Sequence, residues 1–166
     1  MEIERKYAIN HLPNDLSGYK FKKIEQGYLC NKPTIRIRKS NEDYILTYKS
    51  KLIRTEENSA IVNEEVELPL TKSAYEHLLS KIDTNLVKKT RYLIPLDNQL
   101  TAELDVFEDQ LQGLVFVEVE FPDEKTSYEF VAPEWFGKDL SGDRRFSNYY
   151  LSQLSGSDDL VKDMDM

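Results

Sequence analysis

One cysteine, two histidines and one tryptophan in 166 residues leave several chemistries without their ingredients. Cys30 alone cannot form an internal disulfide, which points to a reducing compartment such as the cytoplasm. With no positioned base beside it, it reads as a small buried hydrophobe rather than a nucleophile. His11 and His77 fall in a loop and a helix, off any ligand pattern, so neither reads as a metal ligand. No run approaches the roughly 20 apolar residues of a membrane span, and no apolar leader precedes the first strand. Basic residues are outnumbered, 22 Lys and Arg against 30 Asp and Glu, for a net charge of -8. Nucleic acid and anionic membranes require a basic footprint, so neither is an expected partner. A local basic pocket is still compatible with that overall sign.

What is present is a long succession of alternating segments, enough for one domain that buries roughly two-thirds of its unfolded surface. Glu2 to Ile9 alternates Glu2, Glu4 and Lys6 on one face with Ile3, Tyr7 and Ile9 on the other, and Arg5 is the one charge on the apolar side. His11 to Gly18 reads as a loop. Lys20 to Cys30 forms a second strand, and Thr34 to Lys39 a third, with Arg36 and Arg38 sharing a face. A short turn over Ser40 to Asp43 leads to Tyr44 to Lys49, a hairpin by its turn residues. A polar loop around Arg54 to Asn58 precedes Ile61 to Leu68, in which Glu65 and Glu67 share one face and Val66 and Leu68 the other. Thr71 is placed to cap a helix over Lys72 to Ile82. Three more strands follow at Val87 to Ile94, Leu100 to Phe107 and Leu114 to Phe121. Beyond Pro122 the pattern weakens to a turn at Pro133 to Phe136 and a final helix from Arg145 to Leu154. Trp135 and Phe136 read as a plug on the barrel's exterior or end. Residues 1–154 form one domain by this reading, and 155–166 an acidic flexible tail.

The charges are sorted rather than scattered. Glu2/Glu4, Glu65/Glu67, Glu103/Asp105 and Glu118/Glu120 are acidic pairs at i and i+2, whereas Lys6, Arg36/Arg38, Lys49 and Lys89/Arg91 are basic. Like charges in a row repel, so an ordinary solvated face mixes its residues. The chain is therefore read as α+β, mainly antiparallel β, and many antiparallel strands with few edge-blocking devices tend to close into a barrel. Strict separation of signs favours charges facing inward, with the hydrophobes covered outside by the helices at 72–82 and 145–154 and by loops. An acidic wall can hold divalent cations through hard carboxylate oxygens, and a basic wall can hold phosphates. A lumen with both matches a metal-bound polyphosphate.

The opening Glu-Ile-Glu-Arg-Lys resembles the ExExK signature of the CYTH superfamily, the triphosphate tunnel metalloenzymes. Gln26-Gly27-Tyr28-Leu29, Arg36-Ile37-Arg38, Leu46-Thr47-Tyr48-Lys49, Glu65-Val66-Glu67, Lys89-Thr90-Arg91-Tyr92, Glu103-Leu104-Asp105 and Val117-Glu118-Val119-Glu120 follow in that family's order. The resemblance implies a closed eight-stranded β-barrel, a tunnel with a charged lumen and a few flanking helices. It also implies Mg2+- or Mn2+-dependent attack on a triphosphate. On that resemblance Glu2, Glu4 and Glu120 hold the metal, with Glu118 and Asp105 assisting or binding a second ion, and Glu65, Glu67 and Glu103 complete the acidic wall. Lys6, Arg36, Arg38, Lys49, Lys89 and Arg91 clamp the phosphates, and Arg145 matches the family's terminal arginine, next to Phe146 where relatives often carry Tyr. Lys6, Lys89 and Tyr28 are the candidate catalytic residues beside the reacting phosphate.

Hydrolysis of inorganic tripolyphosphate to pyrophosphate and orthophosphate is the favoured activity, since the compact chain offers no extra segment for a base. The alternatives within the family are nucleoside or thiamine triphosphate hydrolysis and class IV adenylate cyclisation. Outside it stands a non-catalytic polyphosphate-binding module, or a barrel with its charged face outward. The expected partner is a small-molecule triphosphate, bound by a monomer or homodimer.

Overall fold

The structure, a computed structural model, describes residues 1–52 and 60–164. The polar loop expected around Arg54 to Asn58 lies outside the described residues. Nine strands form one antiparallel sheet: β1 (Glu2–Ile9), β2 (Lys20–Cys30), β3 (Thr34–Ser40), β4 (Asp43–Lys51), β5 (Ile61–Pro69), β6 (Val87–Pro95), β7 (Thr101–Phe107), β8 (Val115–Glu120) and β9 (Phe136–Asp139). Their order is β5-β4-β3-β2-β6-β7-β8-β1-β9, and β1 pairs with β5 as well, so eight strands close on themselves and β9 is appended. The opening strand is the closure. Its first residues pair with β5 (Glu2 opposite Asn63), its middle with β8 (Glu4 opposite Glu120), and its end with β9.

Closure works because each strand keeps strict parity. The outward residues of β1, β6, β7 and β8 join one apolar cluster with Ile3, Tyr7, Ile94, Leu104, Val117 and Val119. That cluster is covered by Phe121, Phe130, Trp135 and Phe136, and by a short helix α2 (Glu124–Glu129) whose N-cap Asp123 accepts from Thr126 N–H. Arg5, the charge on the apolar side of β1, anchors this cover. Its Nε donates to the Ser127 carbonyl at 2.9 Å and its Nη1 pairs with Asp139 of β9 at 3.2 Å.

Helix α1 (Lys72–Leu79) is capped by Thr71 as expected, ends before Ile82, and lies across β3 and β4. Its buried Tyr75 stacks near Tyr44, ring centroids 5.1 Å apart, and donates to Glu25. Just beyond it, Ile82 packs so tightly on Gly27 that a Cβ there would lie 2.8 Å from the Ile82 Cδ1. Hence this strand carries glycine in the middle of its outer face.

The last fifty residues depart from the sequence reading in three ways. Phe136–Asp139 is a ninth strand rather than part of a turn. The helix expected over 145–154 is broken into a 3-10 turn (Arg144–Phe146) and a single turn α3 (Asn148–Leu151), because Ser147 is extended and spends its hydroxyl capping Tyr150 N–H. This segment caps one end of the barrel instead of covering the outer face. The stretch read as a frayed tail forms α4 (Asp158–Met164). Leu160 of α4 joins Ala8, Val87, Phe107, Phe116, Phe146 and Leu151 in a second buried cluster, with Val161 and Met164 packed against it. Ala8, Val87, Phe107 and Phe116 lie on the strands' inward face, so this cluster plugs the lumen at that end. Among the described residues no helix is long and apolar enough to cross a membrane.

Candidate active site

Around the barrel, the strand order turns the sorted charges into two half-walls. β4, β3, β2 and β6 are neighbours and carry Lys49, Arg36, Arg38, Lys89 and Arg91; β7, β8, β1 and β5 are neighbours and carry the acidic pairs. Glu2, Glu4, Glu65, Glu67, Glu103, Glu118 and Glu120 line a cavity of about 210 Å3 together with Arg36, Arg38, Lys49 and Arg91. The faces are as the charge sorting requires: charges in, hydrophobes out. Lys6, Lys89 and Asp105 lie deeper, buried against the plug, where the Lys6 Nζ sits 4.6 Å from the Phe116 ring centroid.

Where the two half-walls meet, cations and carboxylates neutralise one another. At the β4–β5 seam, the Lys49 Nζ contacts Glu65 at 3.2 Å and, across to β1, Glu2 at 2.9 Å. At the β6–β7 seam, Arg91 reaches Asp105 at 2.7 Å and Glu103 at 2.6 Å, while the Lys89 Nζ contacts Asp105 at 2.7 Å. Lys6 donates to the Phe146 carbonyl at 2.6 Å and stands 3.5 Å from Glu118.

Away from the seams, Arg36, Arg38, Glu4 and Glu120 stay without an ion pair among the described residues, whereas Glu118 keeps Lys6 at 3.5 Å and Arg91 at 3.6 Å. Among the described residues, neither Arg36 nor Arg38 has a carboxylate within ion-pair distance. Among the described residues the Arg36 Nη2 donates only to Thr47, at 3.3 Å, and its buried Nε has no partner. Burial, with Arg36 and Arg91 nearby, pushes the Arg38 guanidinium down to about 9. On the opposite wall Glu4 is pushed up to about 8 by burial and by the charges of Glu118 and Glu2. Glu120 is raised by burial and by Glu2 and Glu103. Glu65 is pushed up to about 7 by burial and by the neighbouring Glu2 carboxylate. Against the opposing effect of burial, Lys6 and Arg91 hold Glu118 well below the usual carboxylate range, and Arg91 and Lys89 do the same for Asp105. Burial outweighs Asp105 and pushes Lys89 down to about 7. Arg36, Arg38 and Glu4 are thus desolvated in mid-wall without an ion-pair partner among the described residues, a costly arrangement that a ligand of opposite charge relieves.

Besides the deeper Lys6, Lys89 and Asp105, two more candidates from the sequence lie off this cavity. Tyr28 is buried at the plugged end, its ring edge-on to Tyr149 at 5.3 Å. The structure does not bring Arg145 to the lumen; its guanidinium is held by Asp143 at 2.7 Å and by Asp163 of α4. Conversely, Lys22 and Asn148 line the cavity, and the side chain of Gln26 holds Arg38. Lys22 and Gln26 share the parity of Tyr28 along β2, so alternation alone could have located them. Asn148 comes from the irregular segment after β9, which carries no such signal.

Residues 1–147 match the family model described as the CYTH domain. The chain is 33% identical over 156 residues to an inorganic triphosphatase of Nitrosomonas europaea, covering 91% of this chain and 96% of that one. It is 28% identical to an inorganic triphosphatase of Acetivibrio thermocellus, covering 90% and 92%. A crystal structure of an inorganic triphosphatase superposes with a TM-score of 0.66 at 30% identity, over 93% of this chain and 95% of its own. A Hippeastrum structure, 16% identical, shares the fold at a TM-score of 0.63 over 93% and 97%. With the closed barrel, its inward charges and the ordered motifs in agreement with that match, the chain belongs to the CYTH domain family.

Proposed function

We propose that this protein is a divalent-metal-dependent triphosphatase whose preferred substrate is inorganic tripolyphosphate. The observation that carries the reading is the pair of guanidinium groups, buried Arg36 and half-buried Arg38, without carboxylate partners among the described residues, across the lumen from Glu4 and Glu120, which form no ion pair among them either. A linear polyanion satisfies the first pair, and a cation carried with it satisfies the second. The names of the two bacterial relatives support the same substrate.

The residues fit a hard divalent ion. The Glu118 Oε1 is buried without a hydrogen-bond partner, and Glu4 forms no ion pair among the described residues. No group of three or more His, Cys, Asp or Glu among the described residues forms a ready metal cage. The metal proposed is Mg2+ or Mn2+ shared with a substrate, since Mg2+ keeps several waters and takes one or two carboxylates together with phosphate oxygens. Glu2, Glu4 and Glu120 would hold it, with Glu118 and Asp105 assisting and Glu65, Glu67 and Glu103 completing the wall. Bound there, it neutralises phosphate charge and acidifies water.

The chain's own part is positioning and electrostatics. Arg36 and Arg38 offer forked donors to phosphate oxygens, while Lys6, Lys49, Lys89 and Arg91 supply charge at the flanks and the deep end. Water adds to a terminal phosphorus as the bridging P–O bond breaks, giving orthophosphate and pyrophosphate, and the wall carboxylates receive the proton. No covalent nucleophile is needed. The single cysteine, Cys30, a free thiol, supports work in a reducing cytoplasm, and the protein is proposed to act as a monomer or homodimer.

Tripolyphosphate and ATP assayed in parallel with Mg2+ test this reading. Orthophosphate release from tripolyphosphate is expected, lost in Glu4→Gln and Glu120→Gln while the anion still binds. Cyclic AMP as the main product, or tight polyanion binding without turnover, would refute it.

A further inference from the structure

Arg38 and Arg91 both point into the lumen, yet they are held by different chemistry. Arg91 is gripped by the carboxylates of Asp105 and Glu103, so its charge is largely cancelled within the protein. Arg38 is gripped by a neutral group. Gln26, its cross-strand partner on β2, accepts from the Arg38 Nε at 2.9 Å and from its Nη2 at 2.7 Å through one carboxamide oxygen. Gln26 is wholly buried, and its Nε2 has no hydrogen-bond partner among the described residues. The amide cannot turn over to find one, because its NH2 would then face the guanidinium's own donors. Glutamate has nearly the same shape and would satisfy Arg38 with an ion pair, leaving no orphaned N–H. A neutral acceptor at this position is therefore informative: it fixes the plane of the guanidinium without cancelling its charge.

We propose that Gln26 is a positioning residue for anion binding, a neutral tether that orients Arg38 and leaves three of its five N–H donors and its full charge for a substrate phosphate. The assignment rests on the triphosphate reading above. It divides the lumen's arginines by role: Arg38 binds the incoming anion directly, whereas Arg91 lends only background charge at the flank from within the internal ion-pair network.

Calorimetric titration with a non-hydrolysable triphosphate, its bridging oxygens replaced by NH, in the presence of Mg2+ tests the tether separately from turnover. Gln26→Glu is expected to weaken binding at least about tenfold, with a melting temperature equal to or above that of the unmodified chain. Gln26→Met, close in volume but unable to accept, is expected to weaken it about threefold to tenfold, yet less than about twofold when Arg38 is already Met. Glu at position 26 binding within twofold of the unmodified chain overturns the assignment, as does an equal Gln26→Met penalty in both backgrounds. If the unmodified chain does not bind the probe, the triphosphate reading itself falls, and the tether with it.

Discussion

Replacing Glu4 by Gln should stabilise this protein at alkaline pH while abolishing its activity. In the folded chain Glu4 titrates near 8, raised from 4.5 by burial and by the neighbouring charges of Glu118 and Glu2. A carboxyl with a raised folded pKa helps stability below its unfolded pKa, where it is neutral in both states. That help is lost as pH rises from about 4.5 through 8, since the unfolded chain ionises freely and the folded one cannot. At about 1.4 kcal/mol per pH unit, the ceiling on the loss at pH 9 is about 5 kcal/mol. The lumen is open to water at its mouth, so about 2 kcal/mol is the expected effect after screening. For a domain of this size that corresponds to about 4–8 °C in Tm. Thermal unfolding followed by circular dichroism in EDTA, from pH 4.5 to 9, should show the two proteins equal at the acid end and the Gln variant higher at pH 9. Mg2+ should then raise the Tm of the parent and narrow the gap, because a ligand that binds only the folded state stabilises it. Parallel curves for the two proteins at every pH would refute the raised titration of Glu4 by burial and its like-charged neighbours.

Three further outcomes follow from the packing and the wall geometry. Arg36→Met should raise KM for tripolyphosphate more than about tenfold, whereas Arg145→Met, whose guanidinium is held by Asp143 and Asp163 outside the lumen, should leave KM within about twofold; steady-state kinetics on both would decide. Leu160→Ala should cost about 2–4 kcal/mol in urea unfolding, since this buried side chain belongs to the plug, and an unchanged midpoint would mean that α4 does not dock. Gly27→Ala should cost about 1–3 kcal/mol through its clash with Ile82, and Ile82→Ala in the same chain should recover most of that loss.

Alternation of side chains was enough to locate every strand of the closed barrel and to put the acidic and basic pairs on one face. Strand parity is local, set by the pleat, and a single misplaced residue would invert a whole face. Charge sorting then chose the inner face, because like charges in a row are tolerable only opposite something that neutralises them. The break at Ser147, the pairing of Phe136–Asp139 with β1, and the docking of α4 were not legible. The last two depend on long-range partners, the edge of β1 and a cluster built from β1, β6, β7 and β8 that one leucine enters, whereas the break turns on a local cap, the Ser147 hydroxyl accepting from Tyr150 N–H three residues on, which helical periodicity overlooks. An acidic segment with one buried leucine carries too little apolar signal to declare itself.

The residues by themselves determined which strands carry which charge. Only the tertiary structure decided which charges are free. Lys49 and Arg91 look like Arg36 and Arg38 in the sequence, but ring order puts the first two at seams beside carboxylates and the others in mid-wall, with Gln26 and Thr47 as neutral neighbours. That difference arises from barrel closure, since the neighbours of a strand across the ring are fixed by topology and not by distance along the chain.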